Sequence, residues 1–257
     1  MNLEEFTKKE ALLNKSEIFD FNFEGKKYWL KRARATKPNK IQKFFYKIFS
    51  FELLIPSLEK SSEDALTFET AKIEKLKKIG INVPNIVYMN QDLFVLEDCG
   101  DSVNSYLRTK NITQDKFYYF IEKLLIELSK IHNCGQFHGG TQLRNFTYKD
   151  EKVFVIDFEE SFDSNISLET LQFRDFLLFI LSFIKIKEIN FEIDYSYIIN
   201  KYIEYSKKQD TMKKLQNFSK RVSFLLFLSE VSFIKKSLGS DVKNFFKLIK
   251  ILNLLGK

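Results

Sequence analysis

The chain has little cysteine, proline or glycine, and it lacks a long apolar run. Its 257 residues include 2 cysteines, 3 prolines and 8 glycines. So few prolines and glycines exclude collagen-like and linker-rich organisation. Cys99 and Cys134 form no C-x-x-C pair, which predicts free thiols in a reducing compartment. The longest strongly apolar run covers only residues 176–184. A bilayer span needs about 20 residues, so no transmembrane helix is expected.

A basic and then apolar leader is also missing from the start of the sequence. The start of the sequence instead carries the acidic residues Glu4, Glu5 and Glu10, where a secretory signal would have basic and then apolar residues. We therefore expect a cytoplasmic protein. The composition, 44% hydrophobic and 29% charged, is that of an ordinary globular protein with a sizeable core.

Basic residues are concentrated near both ends of the chain, which has a net charge of +7. Within residues 37–48, lysines alternate with apolar side chains at helical spacing. As a helix, this segment is suited to peripheral contact with an anionic inner membrane face. A helix packed on a small lobe and a solvated face remain alternatives. Nucleic acid is an unlikely partner, because no RRM, KH or zinc-finger pattern accompanies the basic residues. The alternating residues are Lys37, Lys40, Lys43 and Lys47 with Ile41, Phe44, Phe45 and Ile48.

The first third of the sequence predicts strands around one helix. Alternating residues over 18–23 and 27–33 predict a hairpin whose second strand places Lys31 among apolar neighbours. A helix is predicted over 63–80, and Glu69 falls on its apolar stripe. An inward carboxylate needs a cation, because an unpaired buried charge is costly. Lys31 is the expected partner, unless Glu69 lies at the edge of the stripe and reaches water.

A break at residues 97–101 separates this strand-rich part from a mainly helical remainder. A helix over 113–135 is followed by a polar loop at 138–145 and by a short apolar strand that ends at Asp157. Alternation along that strand directs Asp157 towards Asn145. An amide oxygen and a carboxylate are hard ligands suited to Mg²⁺. The two segments therefore predict a magnesium site.

These features occur in the order found in protein-kinase-like phosphotransferases. The chain resembles the small bacterial branch of that superfamily, which includes the lipopolysaccharide core (Kdo and heptose) kinases. It is also similar to the small atypical kinase of the tRNA-modifying KEOPS complex. The resemblance extends from about residue 27 to about residue 182. It rests on Lys31, Glu69, a hinge at 96–100, Ile131-His132-x-x-Gly135-x-x-His138-Gly139, Asn145 and Ile156-Asp157-Phe158.

The resemblance implies an α+β, bilobal protein-kinase-like fold. An N-terminal lobe over 1–100 would hold a small antiparallel sheet with one helix, and a mainly helical C-terminal lobe would cover 101–257. The implied activity is a kinase that uses ATP and Mg²⁺ and phosphorylates a hydroxyl of a sugar or lipopolysaccharide-type glycan. The acceptor would be a glycan or lipid-linked molecule.

The resemblance also implies roles for individual residues. Lys31 would hold the α- and β-phosphates and pair with Glu69, while Asn145 and Asp157 would bind Mg²⁺. The hinge residues that would receive adenine are Glu97, Asp98 and Cys99. Catalytic-loop positions are Gln142 and Arg144, and supporting positions are His138 and Asp175, the latter at the expected start of the next helix.

Three departures from the family pattern weaken the case for catalysis. Gly140 occupies the position of the usual catalytic aspartate, no glycine-rich loop precedes Lys31, and Glu159 replaces the glycine after Phe158. A pseudokinase that binds nucleotide or a partner protein is therefore the second hypothesis. A zinc site at His132, Cys134 and His138 is disfavoured, because the spacing is not a usual one. Candidate substitutes for the missing base are Gln142, Arg144, Glu159 and Glu160.

Overall fold

The computed structural model describes residues 1–229 and 240–255. The C-terminal lobe predicted over 101–257 therefore includes residues 230–239 and 256–257, which lie outside the described residues. In chain order the regular elements are α1 (Leu3–Leu13), β1 (Ile18–Phe23), β2 (Lys26–Arg32), α2 (Lys40–Phe49), α3 (Ser62–Lys78), β3 (Ile86–Met89), β4 (Leu93–Glu97), β5 (Asp101–Ser102), α4 (Val103–Leu107), α5 (Gln114–Asn133), β6 (Phe146–Lys149), β7 (Lys152–Val155), α6 (Leu168–Ile184), α7 (Tyr195–Ser206), α8 (Thr211–Ser229) and α9 (Ser240–Leu254).

Four antiparallel strands in the order β1-β2-β4-β3 form the sheet of the small lobe. Glu24 and Gly25 turn the chain between β1 and β2 with left-handed backbone angles, φ 48° and 73°. In the β2–β4 pairing, Lys31 lies opposite Phe94. Helix α1 packs on an apolar cluster of this sheet, while Lys31 reaches across to Asp157 of the other lobe. The buried members of that cluster are Phe19, Phe21, Tyr28, Leu30, Leu93 and Val95.

The small lobe carries three helices rather than the single one expected. Helix α3 begins and ends close to its predicted bounds, because Ser61 caps its first turn and Gly80 follows its end with φ 83°. Helix α1 was not predicted. Its start is fixed by a capping box, in which Asn2 and Glu5 satisfy each other's backbone N–H groups.

Helix α2 is the basic amphipathic segment, and it exposes much of its apolar face. The exposed fractions are 60% for Phe44, 42% for Phe45 and 54% for Ile48. The helix is anchored at its end, where Phe49 stacks on Phe51 with ring centroids 5.5 Å apart. The side chain of Ile41 lies outside the described side chains.

The large lobe combines a small sheet, in the order β5-β6-β7, with helices α4 to α9. Helix α5 begins after Thr113, whose side chain accepts from Lys116 N, as predicted. The predicted start of helix α6 was wrong, because Asp175 lies within the helix rather than at its start. Ser167 caps the helix by accepting a hydrogen bond from Thr170 N, so the helix begins two turns earlier than expected.

One large apolar cluster joins the two lobes. It includes Leu66 and Ile73 of α3, Phe94 of β4, and the buried faces of α5 and α6. This shared core fixes α3 against the large lobe, and α3 carries Glu69. Within 1–229 and 240–255, no helix is long and apolar enough to cross a membrane.

Candidate active site in the cleft

An ion cluster of three side chains joins the lobes. Lys31 Nζ lies 2.8 Å from Glu69 Oε1 and 3.0 Å from Asp157 Oδ1. The side chain of Glu69 is 5% exposed and that of Lys31 is 16% exposed. Glu69 therefore does not reach water from the edge of its helix stripe. The pairing of Lys31 with Glu69, expected from strand alternation and helix periodicity, is present.

Burial and pairing act against each other in this cluster. Burial opposes the charge of Lys31, but Glu69 and Asp157 outweigh it and raise the lysine pKa. Burial raises the pKa of Glu69, with Lys31 opposing that shift. Although burial acts in the other direction, Lys31, His138 and Arg144 hold the pKa of Asp157 below its ordinary value. Lys31 thus keeps a positive charge between two carboxyl groups.

Asp157 is oriented by a different feature of the backbone from the one predicted. Strand β7 ends at Val155, so strand alternation does not orient Asp157. Asp157 instead adopts a left-handed backbone conformation with φ 68°. Aspartate tolerates this region better than most residues. The turn directs the carboxylate to Lys31, a contact that a simple extended strand does not explain.

The polar loop before β6 is braced from α6. Asp175 is buried and accepts hydrogen bonds from His138 N at 2.6 Å and Gly139 N at 2.9 Å. The ring of His138 accepts from Gly140 N at 3.1 Å. Burial lowers the pKa of His138 to about 4, so this ring is neutral at pH 7. These contacts hold the loop in place, and the supporting roles assigned to His138 and Asp175 stay predictions.

Asn145 and Asp157 fit the requirements of a magnesium ion. Asn145 Nδ2 donates to Gly140 O at 2.7 Å, which leaves Oδ1 of the amide as an oxygen ligand. The backbone N–H of Ile156 donates to Asn145 O at 3.0 Å and ties the two segments together. Amide and carboxylate oxygens suit Mg²⁺, which takes its remaining ligands from phosphates and water.

A cavity of about 200 Å³ lies beside the ion cluster. Arg144 and Glu159 reach it from the large lobe, and Arg34 reaches it from the segment after β2. The cationic side chains around it suit phosphate groups. Gln142 is not among the described residues that line it. The cavity is smaller than the 300–1,000 Å³ typical of whole-ligand pockets.

The hinge residues Glu97, Asp98 and Cys99 are not among the described residues that line this cavity. Trp29 lies two residues before Lys31 on β2, and its indole N–H donates to Asp98 Oδ1 at 2.9 Å. Asp98 also accepts from Gly100 N at 3.1 Å. Glu97 accepts from Asn85 at 2.6 Å, and burial raises the pKa of Cys99 to about 12. The adenine-binding roles of Glu97, Asp98 and Cys99 stay predictions.

Two lysines of the cleft were not identified from the sequence. Lys60 Nζ donates to Glu159 O and to Ser161 Oγ, both at 2.8 Å. Lys72 lies one helical turn after Glu69 and donates to His138 O at 2.8 Å, and burial lowers its pKa to about 8. The position of Lys72 on the same side of α3 as Glu69 was a signal that the sequence offered.

The disfavoured zinc hypothesis gains nothing from the structure. His132 Nδ1 pairs with the hydroxyl of Tyr202 at 2.7 Å, and Cys134 is exposed. In the described part of the chain, no three His, Cys, Asp or Glu side chains are grouped to hold a metal.

Comparison with known families identifies the family of the chain. The RIO domain matches residues 23–198, which include both lobes of the cleft. The chain belongs to the RIO-domain family. That match extends beyond the segment of about 27–182 on which the resemblance was based, and it contains Lys31, Glu69, Asn145 and Asp157.

The chain is also similar to two further proteins. An uncharacterised protein of Haemophilus influenzae is 28% identical over 231 residues, 88% of this chain and 87% of the relative. A solved structure, WaaP in complex with acyl carrier protein, is similar with a TM-score of 0.51 and 10% identity over 83% of each chain. The predicted α+β kinase-like fold and the resemblance to lipopolysaccharide core kinases are confirmed. The family and the fold are those of phosphotransferases.

Proposed function

We propose that this RIO-domain protein transfers the terminal phosphoryl group of ATP to a hydroxyl of a sugar in a lipopolysaccharide-type glycan. The observation that carries the proposal is the Lys31–Glu69–Asp157 cluster beside a cavity lined by both cationic and anionic side chains. Phosphoryl transfer depends mainly on positioning and charge neutralisation. The cluster supplies a fixed cation for phosphates and a carboxylate for a metal ion.

In this proposal Lys31 keeps Glu69 as its buried partner and turns from Asp157 to the α- and β-phosphates. Asp157 and Asn145 hold Mg²⁺, which neutralises charge on the phosphates when it is bound. Arg144 adds a second cation at the cavity. Adenine reaches the backbone of residues 97–99, which requires Trp29 to leave Asp98 or to stack on the base.

The acceptor is proposed to be lipid-linked because of helix α2. Its lysines and its exposed Phe44, Phe45 and Ile48 suit an anionic membrane surface. Contact there would bring the cleft to a glycan that extends from lipid. WaaP was solved with acyl carrier protein, so a carrier protein is the competing partner proposed for α2.

The second candidate is a pseudokinase that binds nucleotide without transferring phosphate. One observation favours it, namely Gly140 at the position of the usual base. The two candidates differ in turnover and agree in Mg²⁺-dependent nucleotide binding.

The deciding experiment measures thermal unfolding with ATP, with and without Mg²⁺, followed by ³²P transfer to lipopolysaccharide. We expect Mg²⁺ to increase the rise in Tm that ATP produces, and we expect Asp157→Ala to abolish that Mg²⁺-dependent increase. Asp115→Ala, which alters an exposed carboxylate at the start of α5, is the matched control and should leave the rise intact. Binding without transfer to any glycan would favour the pseudokinase. Failure of ATP to bind would refute both.

A further inference from the structure

We propose that Glu160 is the catalytic base that replaces the missing aspartate at position 140. The inference rests on the proposed phosphotransferase function. Glu160 follows Asp157 by three residues, and its carboxylate approaches the catalytic loop at Gly140. The base would thus lie at the usual place in space although it comes from another segment of the chain.

The geometry at Gly140 carries this proposal. A Cβ atom built on Gly140 would lie 3.9 Å from Glu160 Oε1 and 3.5 Å from Asn145 Nδ2. The carboxylate oxygens of an aspartate lie roughly 2.4 Å from its own Cβ, by ordinary bond lengths. Glu160 Oε1 therefore borders the volume that an aspartate side chain at position 140 would occupy, beside the proposed metal ligand Asn145.

Glycine at position 139 permits this close approach. A Cβ on Gly139 would lie 3.1 Å from Glu160 Cβ and 3.3 Å from Glu160 O. Those distances are tighter than most side-chain contacts, and the φ of +105° at Gly139 is itself one that glycine adopts most easily. The two segments are therefore packed against each other along 139–140.

The Glu160 side chain is held by contacts that leave one oxygen available. Arg174 Nη2 lies 3.0 Å from Glu160 Oε2, and Arg174 Nη1 donates to Gly139 O. The Arg174 side chain is 5% exposed, so it is a fixed support. The neighbouring backbone is fixed by Lys60, through Glu159 O and Ser161 Oγ. No hydrogen bond to Oε1 is present in the part of the chain that the structure describes, so this oxygen can accept a proton, and such preorganisation is what catalysis requires.

The step balances with the acceptor hydroxyl and a nucleoside triphosphate as reactants. The hydroxyl oxygen forms a bond to the γ-phosphorus while its proton passes to Glu160 Oε1. The bond from the γ-phosphorus to the β,γ-bridging oxygen breaks, and its electron pair remains on the diphosphate. Glu160 later releases the proton to water. The products are a phosphate monoester and a nucleoside diphosphate.

The other candidates for this role are less suitable. Arg144 remains protonated at all ordinary pH values, and the amide of Gln142 is neutral and a poor proton acceptor. Glu159 lies 3.9 Å from Lys31 and 3.6 Å from Arg34, on the phosphate side of the cleft. Burial raises the pKa of Glu160, with Arg174 opposing, which brings this carboxylate closer to the range suited to a general base.

The test uses full-length protein, γ-³²P ATP with Mg²⁺, and lipopolysaccharide whose phosphates have been removed with hydrofluoric acid. We expect Glu160→Gln to lower kcat at least 100-fold while the Kd for ATP changes less than twofold. Gln keeps an oxygen for Arg174, so folding should be preserved, and the Tm checks this. The control Glu63→Gln alters an exposed carboxylate of α3 and should retain full activity.

Rescue distinguishes a base from a structural residue. Position 140 has no Cβ contact under 3.4 Å, so the double variant Gly140→Asp with Glu160→Gln should fold and regain at least tenfold in kcat. Loss without rescue would show a structural role and overturn the inference. Full activity of Glu160→Gln would overturn it while leaving the proposed function standing. A wild type that binds ATP but transfers no phosphate would refute the proposed function, and the inference with it.

Discussion

Replacement of Lys31 by methionine should destabilise the protein mainly through the carboxylate it leaves behind. Glu69 is almost fully buried, and among the described residues no other cation forms an ion pair with it, so removal of Lys31 leaves its charge without a direct partner. Removing one partner of a buried ion pair typically costs about 3–5 kcal/mol. Asp157 is 32% exposed and partly solvated, which places our expectation near the lower end, at about 3 kcal/mol.

A double-mutant cycle isolates the pair from the loss of lysine packing. Lys31→Met combined with Glu69→Met removes both charges and should lie within about 1 kcal/mol of wild type. Lys8→Met is the matched control, because Lys8 and Glu4 are 2.6 Å apart but more than half exposed. Exposed pairs contribute little, so this control should cost less than about 0.5 kcal/mol.

The measurement is urea unfolding at pH 7 and pH 5. Without Lys31, burial holds the pKa of Glu69 above its unfolded value, so stability rises as pH falls through the folded pKa. In wild type the depressed pKa of Asp157 stabilises the fold above the unfolded pKa, and this is lost as pH falls. The Asp157 effect operates only below the ordinary aspartate pKa of 3.8, so between pH 7 and pH 5 only the Glu69 effect acts, and it shrinks the deficit at pH 5. A cost below 1 kcal/mol at pH 7, or a deficit that grows at pH 5, would refute the buried-pair argument.

Three further predictions concern the hinge, α3 and α2. Trp29 is the only tryptophan, so ATP with Mg²⁺ should change the intrinsic fluorescence if the base displaces it from Asp98, and an unchanged spectrum would contradict that movement. The pKa of Lys72 is lowered to about 8, so above pH 8 the unfolded chain binds more protons than the folded one and stability rises with pH. Between pH 7 and 9.5 the free energy of unfolding of wild type should therefore increase by about 2 kcal/mol relative to that of Lys72→Met, measured by urea unfolding. Replacing the four lysines of residues 37–47 with glutamine should weaken binding to anionic vesicles at low salt by about 4 kcal/mol, measured by co-sedimentation. If wild type does not bind vesicles but does bind acyl carrier protein, the carrier protein is favoured as the partner of α2.

Local sequence patterns predicted the parts of the cleft that depend on one strand or one helix. Lys31 was recognised because alternation set a lysine among apolar residues, and Glu69 because a carboxylate fell on an apolar stripe. Those two anomalies account for each other once β2 and α3 are packed together. The bounds of α3 and the start of α5 followed from capping residues.

Contacts between distant segments were beyond these patterns. The Trp29–Asp98 bond joins residues 69 positions apart, and the approach of Glu160 to Gly140 depends on how two loops pack. The left-handed conformation of Asp157 breaks the strand alternation on which its predicted orientation relied. The start of helix α6 was predicted too late, because the residue that caps the helix is Ser167, two turns before Asp175.

The Lys31 cluster also gives a physical reason why nucleotide and metal should bind together. Lys31 is bonded to Asp157, so the α- and β-phosphates must replace a carboxylate, and Asp157 must then find another cation. With ATP alone, Asp157 would face phosphate oxygens at short range, and like charges at such distances are strongly unfavourable in a partly buried cleft. With Mg²⁺ present, each anion keeps an opposite charge and no buried charge is left unpaired. Affinity for ATP should therefore depend steeply on Mg²⁺, and Asp157→Asn, which removes the competing charge, should bind ATP with much weaker Mg²⁺ dependence.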